Sequence, residues 1–215
     1  MSDDSSDLSA RLLKKMEDML AYRSCHEAGH TVIRDLIGDT VVAVHSSQNP
    51  CTEFKLKEMQ CECGGSVRNL SPDESEAQNG FRSELCSEIK QPRPDCPDCR
   101  QYLIKHIAAE LAGDVATETF SPEMHSPYGS VNDSCKCDSL IDQFAVPETF
   151  RTAVKNKGRR LAKQLIRREE KTVRVLRDEL VSANGELDGK RACEIVRANL
   201  TSSEVDLEEV ESAPT

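Results

Sequence analysis

His26-Glu27-Ala28-Gly29-His30 is an HExxH sequence, and Thr31 to Ile37 continue it as an apolar-rich helical run that ends at Gly38. Residues four apart share one face of a helix, so His26 and His30 can reach the same metal ion. Glu27 then points to the flank, where a water would sit. With 5 histidines in 215 residues, roughly 0.01 such matches are expected by chance, so the motif carries weight. The competing reading is a surface helix with two solvated histidines. Gly29 is out of place, because a glycine inside a helix costs about 1 kcal/mol relative to alanine. Its backbone is therefore expected to lie close to a metal or substrate. Two histidines make an incomplete site. Zinc hydrolases use three protein ligands and a water, so a third ligand must come from elsewhere in the chain.

Working outward, 37% hydrophobic and 31% charged residues with 4% aromatics point to one soluble, helix-rich domain with a single sizeable core. No apolar run reaches the roughly 18 residues needed to span a bilayer, and the acidic start at Asp3, Asp4 and Asp7 is unlike a signal peptide. A cytoplasmic chain with no membrane segment is expected. The net charge of −10 is concentrated in two tails, residues 1–7 and 204–215, which flank a domain over 8–203. Residues 151–180 are locally basic, with eleven Lys and Arg, but no aromatic interleaving accompanies them. A solvated helix face is expected there, and no nucleic-acid partner.

The fold class expected is mainly α, with the HExxH helix beside a small β-hairpin or sheet. Helix is expected from about Asp7 to Ile37 with a break near Tyr22, then a strand over 40–45 and an extended piece over 51–59 that pairs with it. Residues 68–80 and 90–100 look like loops. Helix resumes at 102–119 and, after a polar stretch over 121–137, at about 138–145, 148–182 and 188–200. Leu161, Leu165, Thr172, Val173, Leu176 and Leu180 form a core stripe on the longest of these.

The 10 cysteines, with no export signal, read as reduced thiols or metal ligands rather than disulfides. Cys61-Glu62-Cys63 and Cys96-Pro97-Asp98-Cys99 are turn-like pairs able to close a second, structural zinc site. Such a site would staple a Cys-rich insertion over about 60–100. Cys135 and Cys137 compete as a partner pair, and free thiols are the alternative. Cys25 points away from His26 on the helix and reads as a packed residue.

The chain resembles the peptidase domain of FtsH-type, AAA-associated zinc metalloproteases. The resemblance rests on His26 to Ile37; on Leu111-Ala112-Gly113-Asp114-Val115-Ala116-Thr117-Glu118; on Tyr128-Gly129-Ser130-Val131-Asn132-Asp133; and on Glu186-Leu187-Asp188-Gly189, taken as a turn before the last helix. It implies an FtsH-peptidase-like helical fold and makes Asp133 the third zinc ligand. Asp138, Asp142 and Glu118 are the rivals. Residues 51–100 are unlike the family, and Thr117 stands where the family commonly has an acid. The family's membrane helices and ATPase module have no counterpart here, and no GxxxxGK[ST] phosphate loop occurs in the sequence.

The expectation is therefore a zinc metalloendopeptidase acting on flexible polypeptide. His26, His30 and Asp133 would hold the catalytic zinc and Glu27 would act as general base, with unfolding left to a separate ATPase chain and homo-oligomers compatible with the reading. The rival readings are an inactive zinc-binding adaptor on the same scaffold and a purely structural helical protein.

Overall fold

The computed structural model describes residues 3–47, 49–69, 87–125, 131–202 and 205. The chain is mainly helical. Helix α1 (Asp3–Ile37) is followed by β1 (Thr40–His45), β2 (Cys51–Lys55), β3 (Met59–Gln60), β4 (Ser66–Asn69) and β5 (Ser87–Lys90). Then come α2 (Pro97–Phe120), α3 (Val131–Gln143), α4 (Glu148–Arg168), α5 (Glu170–Ser182), β6 (Glu186–Asp188) and α6 (Gly189–Asn199). The expected C-terminal tail at 204–215, apart from Val205, and most of the loop at 68–80 lie outside the described residues, as do Tyr128, Gly129 and Ser130 of the family-like segment.

α2 is the central element. Nearly every residue from Tyr102 to Thr117 is buried, which marks a helix covered on all sides. On one flank α1 packs Cys25, Ala28, Val32, Ile33 and Leu36 against it, in a core shared with α4, α5, α6 and β1. On the other, α2 supplies Leu103, Ile107 and Leu111 to a second core with Leu140, Ile141 and Phe144. The stripe Leu161, Leu165, Thr172, Val173, Leu176 and Leu180 is buried as expected, but two helices carry it, since the chain breaks at Glu169.

Two small antiparallel sheets complete the fold, with strand orders β2-β1-β6 and β3-β4-β5. The hairpin of β1 and β2 is the one expected. A register shift between Val41 and Ala43 lets both Val41 and Val44 face the core although they are three apart.

Several boundaries differ from the expectation. α1 runs through Tyr22 without a break. The loop expected over 90–100 ends early, because Pro97 takes the first turn of α2, where a missing N–H does no harm. Glu186 to Asp188 form a third strand on β1 rather than a turn. α3 begins at Val131, and its polar residues conceal a stripe of Asp133, Cys137, Leu140 and Ile141, all buried. Among the eleven basic residues of α4 and α5, Arg151, Lys155, Arg159, Lys163, Arg168, Arg174 and Arg177 pair with carboxylates. No helix among the described residues is long and apolar enough to cross a membrane.

Gly29 serves a purpose other than the one its sequence position implied. A Cβ there would lie 2.6 Å from the Ala112 carbonyl oxygen and 2.7 Å from the Ala116 Cβ, so the glycine lets the backbones of α1 and α2 meet. It faces α2, not a ligand. Gly29→Ala gains about 1 kcal/mol in helix propensity, but the clash is with backbone that cannot swing aside, and overpacking of this kind costs about 1–3 kcal/mol. The net cost of up to about 2 kcal/mol is expected to lower the melting temperature by up to roughly 8 °C. A melting temperature above wild type would contradict the close approach.

Candidate metal centre

His26 and His30 emerge from α1 toward α2, and the first turn of α3 brings Asp133 over them. The Nε2 atoms of His26 and His30 are 3.1 Å apart. Asp133 Oδ2 lies 3.2 Å from the first and 3.4 Å from the second. Tetrahedral geometry around a small ion, with ligands at about 2.0–2.1 Å, sets its ligand atoms roughly 3.3 Å apart. The triangle has the dimensions of a metal site.

Three further observations fit an ion there. Asp133 Oδ2 is buried with no hydrogen-bond partner, an expensive state for a carboxylate oxygen unless a cation meets it. His30 Nδ1 lies 2.8 Å from the Ala109 carbonyl, which can only accept, so Nδ1 carries the hydrogen and, in the neutral ring, the lone pair on Nε2 faces the triangle. The third is Gly113 on α2. A Cβ at this position would sit 2.5 Å from His30 Nε2 and 2.7 Å from His26 Nε2, so only glycine leaves room for both imidazoles.

The electrostatics agree. Burial works against charge on His30, yet the carboxylates of Asp133, Glu27 and Glu110 outweigh it and raise its pKa to about 9. Burial likewise opposes ionisation of Asp133, but the adjacent His30 charge holds it well below the usual carboxylate range. The negative charge that raises the His30 pKa is of the sign that would attract a cation.

Glu27 is buried beside the triangle, and the Thr52 hydroxyl on β2 donates to its Oε2 at 2.8 Å. Phe54, two residues along the same face of β2, carries the Arg34 guanidinium 3.6 Å above its ring. Arg34 donates to Asp39 Oδ2 at 2.7 Å and forms an ion pair with Glu110, all three side chains being buried. This network fixes the turn of α2 from which the Ala109 carbonyl orients His30. His106 packs into it with its pKa well below the usual histidine value, because burial, reinforced by Arg34, disfavours its charge. A cavity of about 300 Å³ opens onto His26, Glu27, His30, Asp133, Thr52 and Phe54.

The sequence-based rivals for the third ligand are engaged elsewhere. Asp138 pairs with Lys155, Asp142 with Arg151, and Glu118 with Arg159 and Lys163. Cys25 is fully buried, as expected of a packed residue, and burial pushes its thiol up to about 11. Cys61, Cys63, Cys96 and Cys99 also come together, their sulfurs all within 4.8 Å of one another, whereas Cys135 is exposed and Cys137 is buried in the second core. Both groups are thus able to hold a metal. Sequence reasoning missed Gly113, Thr52 and the Arg34, Asp39 and Glu110 network. The signals available were a glycine inside an apolar helix and charged residues interrupting apolar runs; Thr52 gave none.

No protein-family model matches this chain, and none of the curated proteins compared with it is detectably similar.

The geometry makes Gly113 as necessary to the triangle as His26, His30 and Asp133. Gly113→Ala is expected to lower the metal content of the purified protein to that of Asp133→Ala, with helical circular dichroism retained, while Asp138→Ala keeps the wild-type content. Wild-type metal content in Gly113→Ala would contradict the assignment.

Proposed function

We propose that this chain is a zinc-dependent metalloendopeptidase that cleaves flexible or unfolded polypeptides, of the kind found in FtsH-type proteases. The observation that carries the reading is the pairing of the His26, His30 and Asp133 triangle with a buried glutamate, Glu27, held in place by Thr52 at the floor of one cavity. Histidine nitrogens and one carboxylate are a donor set suited to zinc, which when bound polarises a carbonyl and brings the pKa of a water near neutrality.

Glu27 is the general base in this reading. Its Oε2 accepts the Thr52 hydrogen bond, which leaves Oε1 to take a proton from the attacking water and pass it to the departing amine. Asp133 and His30 act as ligands, and the Ala109 carbonyl keeps His30 in the tautomer that leaves Nε2 free. Polypeptide is favoured as substrate by the position of β2. It is the edge of its sheet, and Cys51, Thr52 and Phe54 border the cavity, so an extended chain can pair along it. The resemblance of His26 to Ile37 and of Asn132-Asp133 to the FtsH-type pattern supports the same reading. The sequence contains no phosphate loop, so ATP is expected to have no effect on cleavage by this chain, and folded substrates would need a separate unfolding partner.

Zinc-loaded protein is expected to cut casein without ATP, and Glu27→Gln is expected to reduce the rate by roughly 10² to 10⁴ with zinc content unchanged, because the amide cannot accept the proton. No cleavage of any unfolded substrate by zinc-loaded wild type would overturn the peptidase reading in favour of an adaptor.

A further inference from the structure

The second group of metal-ligating side chains lies in the part of the chain that the peptidase reading leaves unused. Cys61 and Cys63 sit on a tight turn between β3 and β4. The Cys61 amide donates to the Gly65 carbonyl at 2.8 Å, and the Gly64 amide donates to the Cys61 carbonyl at 2.9 Å. Gly64 closes that turn at φ +91°, a conformation that favours glycine. The Gly65 amide points to Cys63 Sγ at 3.4 Å. Cys96 precedes the first turn of α2 and makes no capping hydrogen bond with its side chain, and Cys99 follows one turn later.

The two turns meet. Cys61 Sγ is 3.4 Å from Cys96 Sγ, and Cys63 Sγ is 3.4 Å from Cys99 Sγ. Disulfide sulfurs lie about 2.05 Å apart, and all four thiols are free. Four thiolates around one ion at about 2.3 Å lie roughly 3.8 Å apart, close to what is seen. Gly65 leaves the space clear, since a Cβ there would be 2.9 Å from Cys99 Sγ and 3.4 Å from Cys63 Sγ.

We propose that Cys61, Cys63, Cys96 and Cys99 hold one structural zinc ion that fastens the sheet β3-β4-β5 to the N-terminus of α2. Four thiolates are soft donors that select zinc over magnesium or calcium, and four protein ligands leave no position open for a substrate. The sheet needs such a fastening. Its strands are two to four residues long, and among the described residues it and its Cys-bearing turn contribute only Met59, Cys61, Cys63, Val67 and Ile89 to the second core. The fastening also reaches the frame of the candidate active site. The Lys57 amide donates to Asp39 Oδ1 at 2.7 Å, and its carbonyl accepts from the Tyr102 hydroxyl at 3.1 Å, so the segment leading to Cys61 is tied to the partner of Arg34 and to the helix that carries Cys99.

This site stands independently of the peptidase reading, and metal analysis of the full chain separates the two. Wild type is expected to carry two zinc equivalents, and Cys96→Ser combined with Cys99→Ser to carry one and to melt at a lower temperature. His26→Ala combined with His30→Ala should keep the thiolate-bound equivalent. Loading that histidine variant with cobalt should give an intense sulfur-to-cobalt charge-transfer absorption in the near ultraviolet, a readout that does not require the cysteine variant to fold. Zinc content unchanged by the cysteine substitutions would overturn the proposal. So would iron in place of zinc at this position, or cobalt-loaded protein with no charge-transfer absorption.

Discussion

The candidate site depends on how closely α1 and α2 can approach. Gly29 lets the α1 backbone rest against Ala112 and Ala116, and Gly113, from the opposite side, leaves a space that the two imidazoles fill. With the helices this near, His30 Nδ1 reaches the Ala109 carbonyl, so the packing that buries Ala28, Val32 and Ile33 also sets which ring nitrogen of His30 faces the triangle. Any side chain larger than hydrogen at either glycine would separate the helices or displace the rings. Packing and ligand geometry are therefore one constraint.

Charge supplies the second half of the account. Glu27, Glu110 and Asp133 are buried at the cavity, Asp39 is buried behind it, and Arg34 is the one buried guanidinium among them, pairing with Asp39 and Glu110. Asp133 faces His26 and His30, Glu27 accepts from the Thr52 hydroxyl, and Asp133 Oδ2 has no hydrogen bond. Burying carboxylates in this balance is costly unless positive charge is supplied. A divalent cation at the triangle would close the deficit, and would give Asp133 a physical reason to turn inward from the first turn of α3.

Much of this was legible in the sequence because it depends on local periodicity. The HExxH helix, the hairpin after it and the stripe from Leu161 to Leu180 follow from spacing and apolar pattern alone. The four cysteines were legible as two turn-like pairs, although nothing in their spacing required the pairs to meet. Asp133 came only from a resemblance, because the residues around it in α3 are polar on the solvent side and concealed the helix. What stayed hidden was non-local. Thr52 reaches Glu27 across 25 positions and Arg34 reaches Glu110 across 76, and such pairings arise from packing between elements that no local pattern records. The sequence calls for a close approach at Gly29, and there is one, but its partner is another helix rather than a metal or substrate, which no local pattern records.

The most direct measurement is a crystal structure of the zinc-loaded protein with anomalous data at the zinc absorption edge. The account predicts an anomalous peak about 2.0–2.2 Å from His26 Nε2, His30 Nε2 and an Asp133 carboxylate oxygen, with a fourth position facing the cavity and Glu27. A zinc-loaded crystal with no peak among these three residues, or with the ion there held by a different third ligand, would contradict it.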